Sequence, residues 1–276
     1  MKSLPERVHS IIGFNMDSAV KSKFTLAIDI GNTRTHFGVV DMEKLKCIAV
    51  RNIESSTFRD QLVSTVIEIF ERYDRSYCAQ IVISSVIKKY TGIAKSKLDE
   101  LFPGNISIAS YTPELPFEVS YRKPETLGTD RLANALFAYT AFNGADAILV
   151  SAGTAVTIDV LQNATFRGGA IIPGIRTQFA SLNQNTDALP LLDTILDSTI
   201  DYPGLSTEEC IKAGVILGVS GAMNKIILGF KRRESKNFRI VCTGGDWDII
   251  SKYVDFEFTT ITDMTMVGTA LFVNYC

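Results

Sequence analysis

The segment "FTLAIDIGNTRTHFGVV", Phe24 to Val40, is an apolar run that ends on an acid, turns through Gly-Asn-Thr and resumes as an alternating strand. Gly-Asn and Asn-Thr are ordinary turn chemistry, so a plain β-hairpin is one reading. That reading leaves unexplained why a buried-looking strand delivers a carboxylate, Asp29, into a turn of small polar residues. A second reading accounts for it. Gly beside small hydroxyl residues offers backbone N–H groups and hydroxyls without bulk, as a polyphosphate chain needs for close approach. An acid at the strand end can then hold Mg2+ through water.

The same pattern occurs again further along the chain. Setting "DIGNTRTHFGVV" over "SAGTAVTIDVL" aligns Gly31 with Gly153, Asn32 with Thr154 and Thr35 with Thr157. A strand–turn–strand opening used twice suggests a duplicated fold with a cleft between the copies. Two such turns facing each other would hold β- and γ-phosphates from both sides. A third turn, "CTGGDWD" at Cys242–Asp248, puts Gly244-Gly245 before a helix start. It suits the adenosine end or α-phosphate of a nucleotide, or it is a bare connector.

Between these turns, strands alternate with helices, which implies an α/β fold with helix-covered sheets. Strands are expected at Cys47–Ile53, Ala79–Val86 and Ile106–Ala109, with helices near Phe58–Phe70 and Lys89–Leu101. The stretch "YTPELPFEVSYRKPETLGTD" carries Pro113, Pro116 and Pro124 without periodicity and reads as a boundary. The expected division is an extension over 1–22, a first domain over 23–125 and a second over 126–276. In the second, "RLANALFAYTAF" reads as a helix and "FRGGAIIPGI" as a strand breaking at Pro173. A Ser206/Glu209 capping box opens a long helix there.

Composition narrows the chemistry. The 276 residues carry 28 Lys+Arg against 30 Asp+Glu, so there is no basic footprint for nucleic acid or an anionic membrane. No apolar run approaches the ~18–20 residues of a membrane span. Residues 1–22 lack the apolar core and cleavage site of a signal peptide. Five scattered cysteines read as core thiols of a cytoplasmic protein. Only His36 lies beyond the extension, which argues against a hydrolase with a His base and against a His metal site. Acid–base work falls to carboxylates. In "LGTDRLANA", Asp130 and Arg131 open a predicted helix just past the boundary. Arg can take a substrate carboxylate in bidentate fashion and Asp can accept a proton from an attacking hydroxyl. Alternatively, Asp130 is there for capping and the helix dipole.

"DIGNTRTHFG", "YRKPETLGTDR", "SAGTAVTIDVL", "GGAIIPGI", "NTDALP" and "TGGD" occur in the order seen in type III pantothenate kinases, and from Phe24 onward the chain resembles that family. The resemblance implies two ribonuclease H-like domains of the acetate/sugar kinase–actin type with a cleft between them. It also implies a homodimer with the site near its interface, and transfer of the ATP γ-phosphate to pantothenate. By the same resemblance the nucleotide loop is Asp29, Ile30, Gly31, Asn32, Thr33, Arg34, Thr35 and His36, with Thr154 opposite and Mg2+ at Asp29. Tyr121, Gly128, Thr129, Asp130, Arg131 and Thr186 match pantothenate positions, and Asp130 matches the catalytic base. At Ser151 this family commonly has an acid that ligates K+ or NH4+, so the monovalent-cation site is expected to be weakened here. Asp159 is the nearest replacement carboxylate in sequence. Two other readings keep the scaffold: a kinase for another hydroxylated acceptor, and a nucleotide-binding regulator. Having both Asp29 and Asp130 favours an enzyme, because a pure binding module needs no base.

Overall fold

A computed structural model of the protein describes residues 23–192 and 200–276, and the expected extension over 1–22 lies outside the described residues. The first sheet contains β1 (Phe24–Ile30), β2 (Arg34–Asp41), β3 (Lys46–Glu54), β4 (Cys78–Ser85) and β5 (Ile106–Ile108), ordered β3-β2-β1-β4-β5. Helices α1 (Phe58–Arg72) and α2 (Lys88–Leu101) make the crossovers. Strands β1 to β3 are antiparallel, whereas β4 and β5 run parallel to β1.

The chain then passes through β6 (Glu118–Val119) and α3 (Thr129–Ala141) to β7 (Ala147–Ala152), β8 (Ala155–Gln162) and β9 (Thr165–Pro173). Next come α4 (Ile175–Gln184), α5 (Thr207–Glu234), β10 (Arg239–Thr243), α6 (Trp247–Ile250), β11 (Thr259–Thr260) and α7 (Met264–Leu271). The second sheet is ordered β11-β10-β7-β8-β9-β6. Apart from the added β6, that repeats the order and directions of the first sheet. The duplication expected from the paired turns is therefore present in the topology, and the two copies form the ribonuclease H-like α/β architecture.

Five layers result. Phe24, Leu26, Ile28 and Ile30 face outward onto Phe58, Leu62 and Val66 of α1 and onto Ala94 and Leu98 of α2. Ala27 faces inward with Val40 and Val82, onto a middle layer made by α3 and α7. The inner face of the second sheet closes that layer through Leu149, Leu161 and Val241. Its outer face packs on α4 and α5 through Phe179, Val215, Ile216 and Val219. Successive strand residues alternate faces, so Asp29 shares the inward side with Ala27. A strand buried on both sides thus delivers its carboxylate to the start of α3.

Two details position that middle layer. Gly268 of α7 lies against Ala133 of α3, where a Cβ would come within 2.0 Å of the Ala133 carbonyl oxygen. Only glycine admits this crossing. Asp263, just before α7, accepts the Cys47 N–H of β3 at 2.7 Å, so the chain's last helix is pinned to the first sheet.

Helix α5 opens at Ser206, whose hydroxyl accepts the Glu209 N–H at 3.2 Å. The Glu209 carboxylate reaches back to the Leu205 N–H at 2.6 Å rather than to Ser206, so the expected box closes one residue early. Contrary to the expectation from apolar runs, α5 is long and apolar enough to cross a membrane by length and composition. Its Ile211, Val215, Val219, Met223 and Ile227 side chains are packed in the core.

Candidate active site

The two Gly-containing turns at the ends of β1 and β7 meet across the cleft. Gly31 N–H donates to the Arg34 carbonyl at 3.0 Å, and Gly153 N–H to the Ala155 carbonyl at 3.0 Å. The Thr33 and Thr154 hydroxyls lie 2.9 Å apart although 121 residues separate them. Asn32, Thr33, Arg34 and Thr154 are exposed. Two further glycines crowd the end of β7. A Cβ on Gly174 would lie 1.9 Å from the Gly153 carbonyl oxygen, and one on Gly244 2.1 Å from that of Ala152. Gly244 also adopts φ +106°, a conformation that disfavours side chains. The cleft floor is therefore backbone and small hydroxyls, a surface that a polyphosphate can approach closely.

Other residues of the expected nucleotide loop are placed differently. Ile30 is buried in the outer core, leaving only its backbone to face the turn. The buried Thr35 hydroxyl meets Ser55 Oγ at 3.1 Å, and Ser55 donates to the Gly31 carbonyl at 2.7 Å, so this pair braces the turn from behind. His36 Nδ1 lies 2.7 Å from Asn52 Oδ1. Burial holds the His36 ring below its ordinary value, so it is neutral at pH 7.

The carboxylates gather at the start of α3. Ser84 of β4 stands opposite Asp29 in the parallel ladder and donates to Asp29 Oδ1 at 3.0 Å. The Thr129 hydroxyl contacts Ser84 Oγ at 2.9 Å and accepts the Ser85 N–H at 3.1 Å. Burial, and then repulsion from Asp130, push Asp29 up to about 7, against the pull of the Ser84 hydrogen bond. Burial also raises Asp130, which its own helix start and Arg131 oppose. Gly128 makes room for that side chain, since a Cβ there would lie 2.5 Å from Asp130 Oδ1. Two acids raised by burial, one of them also repelled by the other, are short of positive charge. A divalent ion sharing its coordination with phosphate and water fits them. Among the described residues no cluster of three or more His, Cys, Asp or Glu forms a self-sufficient metal cage.

Arg131 departs from the sequence reading. Its guanidinium is buried and held bidentately by Asp159, with Nε 3.0 and 3.1 Å from the two carboxylate oxygens and Nη2 on Oδ1 as well. Tyr121 and Phe166 flank it, with ring centroids 5.9 and 5.7 Å from Cζ. Burial drives Asp159 upward and Arg131 pulls it back; the bidentate contact keeps the pair ionised. Asp159 is thus committed to Arg131 and does not replace the missing acid at Ser151. Ser151 pairs with Thr157 and Thr243 in the second sheet, at the register Asp29 holds in the first. Thr186, beyond α4, is exposed and donates to the Leu182 carbonyl at 2.8 Å. No described contact joins it to the acids.

Sequence reasoning missed Ser84, the Arg131–Asp159 pair and the Asp246–Arg176 contact at 3.3 Å behind Gly244-Gly245. The available signal for Ser84 was a β-branched strand ending on two serines, parallel in form to β1 ending on Asp29.

The family model described as Type III pantothenate kinase matches residues 25–228. The type III pantothenate kinase of Chlorobaculum tepidum is 31% identical over 233 residues, covering 82% of this chain and 84% of that protein. Among solved structures, a conserved putative Baf family transcriptional activator from Campylobacter jejuni superposes with a TM-score of 0.56 at 19% identity. That match covers 91% of this chain and 98% of that one. A putative N-acetylmannosamine kinase from Listeria monocytogenes gives 0.51 at 15% identity, covering 91% and 99%. At such identities the structural likeness concerns the fold alone.

Proposed function

The chain belongs to the type III pantothenate kinases, and from that footing we propose that it phosphorylates pantothenate with ATP to give 4'-phosphopantothenate, the first step of coenzyme A biosynthesis. The observation that carries the site assignment is the meeting of the Thr33 and Thr154 turns directly beside Asp29 and Asp130.

In this reading the backbone N–H groups of Asn32 and Thr33 and the Thr33 and Thr154 hydroxyls grip the β- and γ-phosphates, while the Gly31 N–H holds the turn through the Arg34 carbonyl. The Gly244-Gly245 turn receives the nucleoside end. Asp29 would hold Mg2+ through water, and the ion would supply positive charge against the phosphates. Asp130 takes the proton of the acceptor hydroxyl as its oxygen bonds to the γ-phosphorus and the β–γ bridging bond breaks, releasing ADP. Burial that raises Asp130 makes its carboxylate a stronger base. Tyr121, Gly128, Thr129 and Thr186 contact pantothenate. Arg131, already paired with Asp159, has no free fork for the substrate carboxylate and shapes the site from behind.

The finer assignments belong to the same proposal. The enzyme is cytoplasmic, its cysteines free thiols. It works as a homodimer, for which the exposed Gly214, Gly218 and Gly221 stripe on α5, flanked by exposed Tyr202 and Leu205, offers a surface open to close helix approach. It holds K+ or NH4+ weakly, because Ser151 offers a hydroxyl where a carboxylate would bind. Incubating the protein with ATP, Mg2+ and pantothenate, with ribose, glycerol and acetate in parallel, tests the acceptor by mass spectrometry. Phosphorylation of pantothenate above the others is expected. A product only with another acceptor overturns the reading.

A further inference from the structure

We propose that Ser84, acting through Thr129, is a positioning residue that fixes the Asp29 carboxylate relative to the helix carrying Asp130. The proposal rests on the roles given above to Asp29 and Asp130, and it adds a residue that no motif singled out.

Ser84 is fully buried at the end of the apolar run Ile81, Val82 and Ile83. The large majority of buried hydroxyls have a hydrogen-bond partner. Here the direction of each bond is set by its ends. The Ser85 N–H can only donate, so Thr129 Oγ1 accepts from it at 3.1 Å and sends its own hydrogen onward. Ser84 Oγ accepts that hydrogen at 2.9 Å and donates its own to Asp29 Oδ1 at 3.0 Å. An ionised carboxylate can only accept, so the relay terminates there. Three links join β4, the first residue of α3 and the last acid of β1. Asp130 follows Thr129 directly, so any slip of α3 along the sheet changes the gap between the two acids.

The duplicated copy serves as an internal control. At the register of the Asp29–Ser84 pair it holds Ser151 and Thr243. There the Thr243 hydroxyl donates to the Thr262 carbonyl at 3.2 Å, and no described hydrogen bond joins it to Ser151. Among the described residues the relay is found only in the copy that has an acid to hold.

The test compares wild type, Ser84→Ala, Thr129→Val, Thr129→Ser and the Ser84→Ala/Thr129→Val double variant, with folding checked by circular dichroism. Initial rates of pantothenate phosphorylation are measured against Mg2+ and against pantothenate. Ser84→Ala is expected to lower kcat by about tenfold and raise the half-saturating Mg2+, as losing a buried bond to a charged group does. Its KM for pantothenate stays at the wild-type value. Thr129→Ser, which keeps the hydroxyl, keeps the half-saturating Mg2+ of the wild type, and the double variant is no slower than the slower single. A folded Ser84→Ala with wild-type kcat and Mg2+ dependence overturns the relay, as do losses that multiply in the double variant. A wild type whose ATP turnover ignores Mg2+ overturns the functional reading and the relay with it. A Mg2+-dependent wild type beside an indifferent Ser84→Ala overturns the relay alone.

Discussion

Replacing Asp29 with Asn should stabilise the protein free of metal and nucleotide, and only above mildly acidic pH. In the folded chain the Asp29 carboxyl moves from its ordinary 3.8 to about 7. Between those values the unfolded chain has lost this proton while the folded chain keeps it. Stability therefore falls as pH rises from about 4 to 7 and is level beyond that. At about 1.36 kcal/mol per pKa unit the full shift is worth about 4 kcal/mol. That is a ceiling, because Asp29 retains some exposure to the cleft, and a loss of about 2 kcal/mol is the working expectation. Asn carries no charge and still accepts the Ser84 hydrogen bond, so the variant escapes the loss. Urea melts of both proteins at about pH 5 and pH 8, without Mg2+ or ATP, should give a stability difference that opens in favour of Asp29→Asn as pH rises. Adding Mg2+ and ATP should stabilise wild type and reverse the ranking. A difference independent of pH would refute the view of Asp29 as a strained acid awaiting a cation.

Breaking the buried Arg131–Asp159 pair with Asp159→Asn leaves a guanidinium without its counter-charge and should cost about 3–5 kcal/mol, read from a urea melt. A loss under about 1 kcal/mol would mean that water reaches the pair. At Ser151, a carboxylate about 4 Å from a monovalent ion contributes roughly 4 kcal/mol at an effective dielectric near 20, part of it offset by desolvation. Initial rates at constant ionic strength should therefore be nearly indifferent to KCl in wild type and become K+-activated in Ser151→Asp. Saturable activation of wild type at low K+, unaltered by the substitution, would mean that the ion has other ligands.

The local features of this fold could be read from the sequence because they depend on neighbouring residues. Alternation and a Gly-Asn-Thr turn define β1 and β2, and the echo in Gly153-Thr154 anticipates a repeat of the same strand order. The acids were visible too, since Asp29 and Asp130 sit at a strand end and a helix start. Contacts set by packing between distant elements were not legible. Ser84 meets Asp29 only through the parallel β1–β4 register, across 55 residues. Arg131 meets Asp159 because α3 lies between the sheets, and no spacing rule links residues 28 apart. The two-residue strands β6 and β11 and the short α7 carry too few residues for any period to show. The return of α7 to the first sheet depends on Gly268 and Asp263, each unremarkable in sequence.

The most direct test of the account is the rate of pantothenate-dependent ADP formation by Asp130→Asn, measured beside wild type at saturating ATP and Mg2+. Asp130 lies in the first turn of α3, faces Asp29 and is raised by burial, so it is assigned the acceptor's proton. Loss of a positioned base lowers turnover by about 10²-fold or more, and calorimetry should find the affinity for Mg2+ and ATP retained. Wild-type turnover in Asp130→Asn, with only a lowered melting temperature, would reduce Asp130 to a helix-start residue and contradict the account.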